Sequence, residues 1–216
     1  MFTGEKKQSL SDQAYERIEE WIVTLQLAPG TVFSETEISE KLKIGRTPVR
    51  EALQRLASDG LVKTLPRRGM MVTEINIGEQ MILLETRRVL ERLIVSRAAR
   101  RATSGQRKTL QEYAHAIQQA AEKEDLARFM RFDHKFDRLV EKASANPFAV
   151  KANAPFHAHC RRFWYFYHIN GDLRRSADLH ADIMRAIAAA DEDAAVRAVD
   201  VFMDYLEEFT RSALNH

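Results

Sequence analysis

Cysteine is nearly missing from this 216-residue chain: Cys160 stands alone, which excludes a disulfide within one chain and any zinc cluster built on several thiolates. A single cysteine of this kind reads as a small buried hydrophobe. Long apolar runs are missing too. Stretches such as Met81 to Leu84 are a few residues long, against the roughly 20 needed to cross a bilayer, and Met1 to Leu10 holds no apolar signal segment. A cytoplasmic protein with no membrane role is expected. Five prolines and eight glycines are too few for a collagen-like or low-complexity chain. Nor does one sign of charge dominate, since 33 Lys and Arg meet 31 Asp and Glu for a net +2. At 45% hydrophobic and 30% charged, the remaining composition is that of a core-forming chain of one large or two small domains.

The near-balance hides a local excess. Residues 41–68 carry Lys41, Lys43, Arg46, Arg50, Arg55, Lys63, Arg67 and Arg68 against only Glu51 and Asp59, a local +6. Basic charge packed into a short segment of an otherwise neutral chain is aimed at a polyanion rather than spread for general stickiness.

The pattern around that segment predicts three helices and a two-stranded ribbon over residues 1–76. Tyr15, Ile18, Ile22 and Leu25 make a helical stripe between Leu10 and Leu27, stopped by Pro29-Gly30. Ser34 followed by Glu37 is a capping box, which starts a short helix near Glu35 carrying Ile38 and Leu42 inward. After Lys43-Ile44-Gly45 a third helix begins with Pro48 in its first turn, where a missing amide donor costs little. Its Val49, Leu53 and Leu56 share one face, while Arg46, Arg50 and Gln54, spaced by four, share another. Two β-favouring runs, Leu61 to Leu65 and Met70 to Thr73, flank the turn sequence Pro66-Arg67-Arg68-Gly69.

From residue 77 to 216 only helix is signalled. Breaks at Thr103-Ser104-Gly105, Lys123-Glu124-Asp125, Ser144-Ala145-Asn146-Pro147, Asn170-Gly171-Asp172 and near Asp191 leave six segments, with Pro155 expected to kink the one that contains it. The fold class is therefore mainly α: a winged helix-turn-helix over 1–76 and an all-helical bundle over 77–216, large enough to enclose a cavity.

Two helices joined tightly, with arginines at the start of the second and a basic hairpin after it, point to duplex DNA. An arginine fork bonds two acceptors of guanine at once, and a helix N-terminus presents amides to phosphate, so Arg46, Thr47 and Arg50 stand where a recognition helix enters the major groove. Arg67 and Arg68 reach phosphate or minor groove from the wing.

The run Arg46-Thr47-Pro48-Val49-Arg50-Glu51-Ala52-Leu53, with Pro29-Gly30, Ser34-Glu35, Leu56, Gly60-Leu61-Val62 and Arg68-Gly69, resembles the N-terminal domain of the GntR family of bacterial transcription regulators. Glu85, Arg87, Glu91, Asp133, Phe136, Asn146-Pro147 and His180 resemble the FCD effector domain of its FadR subfamily. The resemblance implies a homodimer that binds a palindromic operator and answers to a small carboxylate effector. Lys43-Ile44-Gly45 replaces the commoner Gly-Val-Ser, leaving Gly45 as the cap, and Thr36 stands where many relatives place a base-reading arginine. By the same resemblance, Thr36 and Gly69 join Arg46, Thr47, Arg50, Arg67 and Arg68 as DNA-binding positions.

For the helical part, the resemblance implies one polar pocket holding Arg87, Asp133, Asp137 and His180. FCD domains often bind a divalent metal through an Asp, a His four residues later and one His on each of two later helices. Asp133, Asp137 and His180 are then the candidate ligands for zinc, nickel or manganese, with Asp137 and Phe202 where histidines would stand. Arg87 needs a carboxylate, either from the effector or from an acid such as Glu85 or Asp133. The aromatic run Phe163 to Tyr167 cannot face one way, so it divides between core and either cavity or subunit interface. His157, His159 and His168 read as surface or satisfied core histidines. An architectural, effector-independent DNA-binding dimer is the alternative. A metal-dependent helical enzyme is disfavoured, because no phosphate loop, nucleophile motif or complete metal set is present.

Overall fold

The computed structural model describes residues 8–168 and 172–215. In chain order these form α1 (Leu10–Val23), β1 (Val32–Phe33), α2 (Glu35–Leu42), α3 (Arg46–Ser58), β2 (Val62–Leu65), β3 (Gly69–Val72), α4 (Ile77–Arg101), α5 (Ser104–Glu122), α6 (Leu126–Ser144), α7 (Pro147–Tyr167), α8 (Leu173–Ala188) and α9 (Glu192–Ser212). The architecture is the expected mainly-α one with a small winged sheet. Among the described residues no helix is long and apolar enough to cross a membrane. The chain divides into two compact units: residues up to Ile75 together with Ala158–Phe166, and Asn76–His157 together with the chain from Tyr167 onward.

In the first unit the stripe of α1 buries Ile18 and Ile22 completely against α3. The helix stops at Val23, short of Leu27, because Leu25 takes a left-handed φ of 59°. The capping box forms as read, with the Glu37 amide donating to Ser34 Oγ at 3.2 Å and the Ser34 amide to Glu37 Oε2 at 2.6 Å. Lys43, left-handed at φ 56°, closes α2 and sets the tight turn into α3, whose cap Gly45 contributes no side-chain bond. Val49, Ala52, Leu53 and Leu56 then face the core.

The wing has three strands, not the two expected, in the order β1-β3-β2 and antiparallel throughout. β2 and β3 pair with Val62 opposite Val72 and Leu65 opposite Gly69; β1 adds Val32 opposite Met71 and Phe33 opposite Met70. A two-residue strand has no alternation to read. Its place depends on Gly69, which sits at φ 98° and where a Cβ would collide with the Phe33 carbonyl oxygen. The second half of α7 packs into this unit, burying Phe163, Trp164 and Cys160. Here buried Arg162 donates to the Thr73 carbonyl at 3.0 Å and the Glu74 carbonyl at 3.3 Å, and Arg161 pairs with Glu19 at 3.0 Å. The aromatic run thus contributes two residues to this core, while Phe166 stays exposed.

In the second unit α5 packs on α8, α4 on α9, and α6 on both α4 and α5. Leu84, Ile94, Leu110, Ile117, Ile183 and Met184 are its fully buried large side chains. The helix breaks fall at the segments read from sequence, and each start is capped by a side-chain oxygen: Asn76, Thr103, Asp125, Asn146, Asp172 and Asp191. The expected stop Asn170-Gly171 lies outside the described residues. Pro155 sits inside α7, and the helix continues through it. Arg107 of α5 donates to the carbonyls of Ala99, Ala102, Ile187 and Ala188, gathering the last turns of α4 and α8 around one guanidinium.

Candidate functional site

The first candidate is the α3 and wing surface. Arg46, Thr47, Arg50 and Gln54 are exposed on α3, and Arg67 and Arg68 are exposed at the hairpin tip, with Arg67 left-handed at φ 63°. Thr36 is half-buried on α2, as is Gly69 in the wing. Arg50 forks onto Glu35 of α2, with Nε 3.0 Å and a terminal nitrogen 2.9 Å from Glu35 Oε2. This exposed pair orients the guanidinium and is worth little in itself, so it yields readily to a stronger acceptor. The local +6 is not all presented together. Lys41 lies over the Trp21 ring at 4.4 Å, and Arg55 lies over Tyr15 at 4.4 Å while pairing with Asp12 at 2.8 Å. These two cations, though exposed, are held against α1 residues, while Lys43, Arg46, Lys63, Arg67 and Arg68 are exposed beside the Glu35-held Arg50.

The second candidate is a buried polar cluster in the helical unit. Arg87, Asp133, Asp137 and His180 are all buried, but Arg87 and Asp137 are linked through Glu91 and His157, which the sequence did not single out for a site. Glu91 Oε1 accepts from Arg87 Nε at 3.0 Å and Asn153 Nδ2 at 3.1 Å, and lies 2.6 Å from His157 Nε2. The other nitrogen of that ring, Nδ1, lies 2.9 Å from Asp137 Oδ2. His180 forms a separate pair, with Nε2 2.9 Å from Asp133 Oδ1 and Nδ1 donating to the Ser176 carbonyl at 2.7 Å. The Phe202 ring lies against both halves, 4.4 Å from the His180 ring and 5.8 Å from the Arg87 guanidinium carbon.

The electrostatics follow from this arrangement. Burial alone works against a charged His157, but Asp137 and Glu91 outweigh it and push the ring up to about 10. Burial likewise disfavours the Glu91 carboxylate, yet His157 and Arg87 hold it far below the usual carboxylate range. His180 is raised against burial by its bond and charge contact with Asp133. Glu141, 3.8 Å from His157, is pushed up to about 6 by its own burial.

Arg87 thus has an internal partner in Glu91, one turn along the same helix. His157 and His159 are satisfied histidines, His159 through the Asp59 carbonyl at 2.8 Å. A signal for the missed residues was available. Arg87/Glu91, Asp133/Asp137, Asn153/His157 and Ser176/His180 are four polar pairs at i,i+4 spacing, one on each of α4, α6, α7 and α8.

The donor set does not fit a zinc, nickel or manganese ion as arranged. Both His180 nitrogens are engaged, Asp137 is turned to His157, and the aromatic ring of Phe202 takes the fourth place. Among the described residues no group of three His, Cys, Asp or Glu side chains is placed to hold a metal.

Comparison with known proteins covers both units. Residues 10–72 match the family model for bacterial regulatory proteins of the gntR family, and residues 82–205 match the FCD domain. The HTH-type transcriptional repressor RspR of Escherichia coli (strain K12) is 30% identical over 209 residues, spanning 94% of this chain and 90% of that protein. The solved structure of E. coli McbR/YncC superposes with a TM-score of 0.83 at 21% identity, covering 96% of this chain and 99% of that one. A putative GntR regulator from Rhodococcus sp. RHA1 gives a TM-score of 0.69, also at 21% identity, covering 95% and 99%. The chain is not an enzyme: it belongs to the gntR family of bacterial transcriptional regulators, in the branch that carries an FCD domain.

Proposed function

We propose that the protein acts in the cytoplasm as a homodimer, that residues 1–76 bind a palindromic operator, and that residues 77–216 sense a small carboxylate and make the dimer. The observation that carries the DNA reading is the exposure of Arg46, Thr47 and Arg50 at the start of α3 together with Arg67 and Arg68 on the wing. One recognition helix covers one half-site, so two-fold symmetry in the protein calls for two-fold symmetry in the operator.

The long helix α4 supports the dimer. Ile82, Val89 and Leu93 are exposed at spacings of seven and four, a heptad-like seam opposite the buried face. Its exposed acids Glu79 and Glu85 lie toward the N-terminus and its bases Arg92 and Arg100 toward the C-terminus. An antiparallel pairing with a second copy therefore sets acid against base, and a parallel one sets like against like.

For the effector, a carboxylate reaching Arg87 competes with Glu91 for the same guanidinium and so releases Glu91 toward His157 and Asn153. An effector-independent dimer is favoured by one observation, the packing of Phe202 on both Arg87 and His180. The test is an operator selected from random duplexes. Arg50→Ala is expected to lose about 1–3 kcal/mol on that operator and much less on random DNA. Equal losses on both would reduce Arg50 to a phosphate contact. A thermal-shift screen of small carboxylates then separates the two dimer readings, because only a ligand selective for the folded state raises the melting temperature. With a hit in hand, Arg87→Ala is expected to abolish its effect on operator affinity.

A further inference from the structure

We propose that the exposed face of α6 is a second DNA contact, which takes the sugar-phosphate backbone of duplex flanking the operator on the same DNA molecule. Apart from Ala127, every exposed residue of this helix is basic: Arg131, Lys135, Arg138 and Lys142. With half-buried Arg128 they follow at steps of three, four, three and four, so all five lie along one side of the helix. At about 1.5 Å per residue the stripe runs for about 21 Å, the length of roughly six phosphates of one strand.

The charge count of this stretch conceals the stripe because its acids point inward. Asp133 lies 2.9 Å from His180 Nε2, Asp137 lies 2.9 Å from His157 Nδ1, and Glu141 is half-buried near the same His157 ring. Elsewhere in this unit α4, α5, α8 and α9 each expose acids and bases together. Like charges three and four apart on a helix repel, so α6 bears a cost that an exposed glutamate on this face would relieve.

The chemistry of the face favours phosphate over an acidic protein. Protein interfaces have an apolar centre and are poor in lysine, whereas nucleic-acid interfaces are dominated by positive charge. Among the described residues, none of the exposed large apolar side chains lies on α6. Its half-buried Phe132 packs edge-on to Tyr113, ring centres 5.6 Å apart, with the Arg128 guanidinium carbon at 5.7 Å and Lys135 Nζ at 5.2 Å from the ring centre. The ring thereby anchors the first and third cations of the stripe. Flanking DNA is the source because the first unit, once bound, keeps it at a high effective concentration that a separate duplex lacks. This inference rests on the operator reading, and its contacts add affinity and salt dependence without adding sequence preference.

The experiment compares the full wild-type chain with a triple variant, Arg131→Gln, Lys135→Gln and Lys142→Gln; Arg138, whose charge also acts on Glu141, is left in place. Three duplexes are titrated between about 50 and 200 mM salt: the selected operator alone, that operator within about 150 bp of random flank, and random sequence of the same length. On the operator alone the two chains are expected to bind equally, which also shows that the variant is folded. On flanked operator, three charges at about 0.9 each make the wild-type salt slope steeper by about 2.7 per engaged stripe, so the wild-type advantage shrinks about forty-fold across that range. Equal slopes on flanked operator overturn the proposal and leave an acidic protein as the occupant. Stripe-dependent bridging of two separate duplexes, with no need of flank, also overturns it by assigning the stripe to a second DNA molecule. If neither chain prefers the operator, the operator reading fails, and the random duplex still decides the stripe by the same slope difference.

Discussion

Glu91→Gln removes one negative charge from the buried cluster while keeping its shape. In the native protein Glu91 Oε1 accepts from Arg87 and Asn153 and faces His157. After the change, Arg87 and His157 lose the carboxylate that faced both of them, while His157 keeps Asp137 at 2.9 Å and Glu141 at 3.8 Å. Breaking a buried ion pair from one side costs about 3–5 kcal/mol. The helical unit has about 130 residues, and at about 2.1 cal/mol/K per residue its unfolding entropy near 60 °C is about 0.27 kcal/mol/K, which turns that cost into a fall of roughly 10–20 °C in Tm. Scanning calorimetry checks this, with Glu85→Gln on the exposed face of the same helix as a control expected to stay within about 0.5 kcal/mol.

The pH dependence gives a second readout. Glu91 is lowered from 4.5 in the fold, so its contribution is present above 4.5 and is lost on acidification through its folded value. His157 is raised from 6.5 to about 10, so its contribution is complete below 6.5 and fades as pH rises toward 10. Wild type is therefore expected to lose stability on the alkaline side between 6.5 and 10, and Glu91→Gln to show a shallower decline there, since one of the two anions lifting His157 is gone. A loss below about 1 kcal/mol at neutral pH, with an unchanged alkaline slope, would refute the account of the cluster.

Ser34→Ala, which removes one arm of the capping box on α2, is expected to destabilise the first unit by about 1 kcal/mol in urea unfolding; Ser34→Gly should cost only a few tenths. Gly69→Ala is expected to loosen the β1–β3 pairing, because the new methyl meets the Phe33 carbonyl oxygen at a left-handed φ. Amide exchange at Met70 and Phe33 that stays as slow as in wild type would contradict this. Arg67→Ala is expected to weaken binding to all DNA sequences alike and to lower the salt dependence by about one charge. An unchanged salt slope would place the wing off the DNA.

Much of the fold was legible because its signals are local. Caps at Ser34, Thr103, Asn146 and Asp191 act within one turn, and the stripe of Ile18 and Ile22 repeats at the helical period, so starts and buried faces follow from the chain itself. β1 escaped because two residues carry no period and their partner strand lies almost forty residues on. The cluster was half legible. Arg87, Asp133, Asp137 and His180 are all buried, yet His157, which links Asp137 to Glu91, is set apart from His159 in the sequence only by its i,i+4 spacing from Asn153. The difference is which side of α7 each presents, and tertiary packing decides that: His157 finds Asp137 and Glu91, while His159 finds the Asp59 carbonyl. Arg55 and Lys41 mislead for the same reason, since charge counts do not reveal that Tyr15 and Trp21 draw them aside.

The clasp made by Arg107 has a kinetic meaning. Its guanidinium joins the Ala99 and Ala102 carbonyls near its own helix to those of Ile187 and Ala188, some eighty residues away in the chain. Such a contact forms only after α8 has arrived, so it belongs to the closing stages of assembly and is absent from an early nucleus of neighbouring helices. Interactions absent from the transition state hold the native state against escape without hastening its formation. Arg107→Ala is thus expected to leave the refolding rate of the chain nearly unchanged and to quicken its unfolding, shortening the lifetime of the folded bundle more than its equilibrium populations alone would advertise.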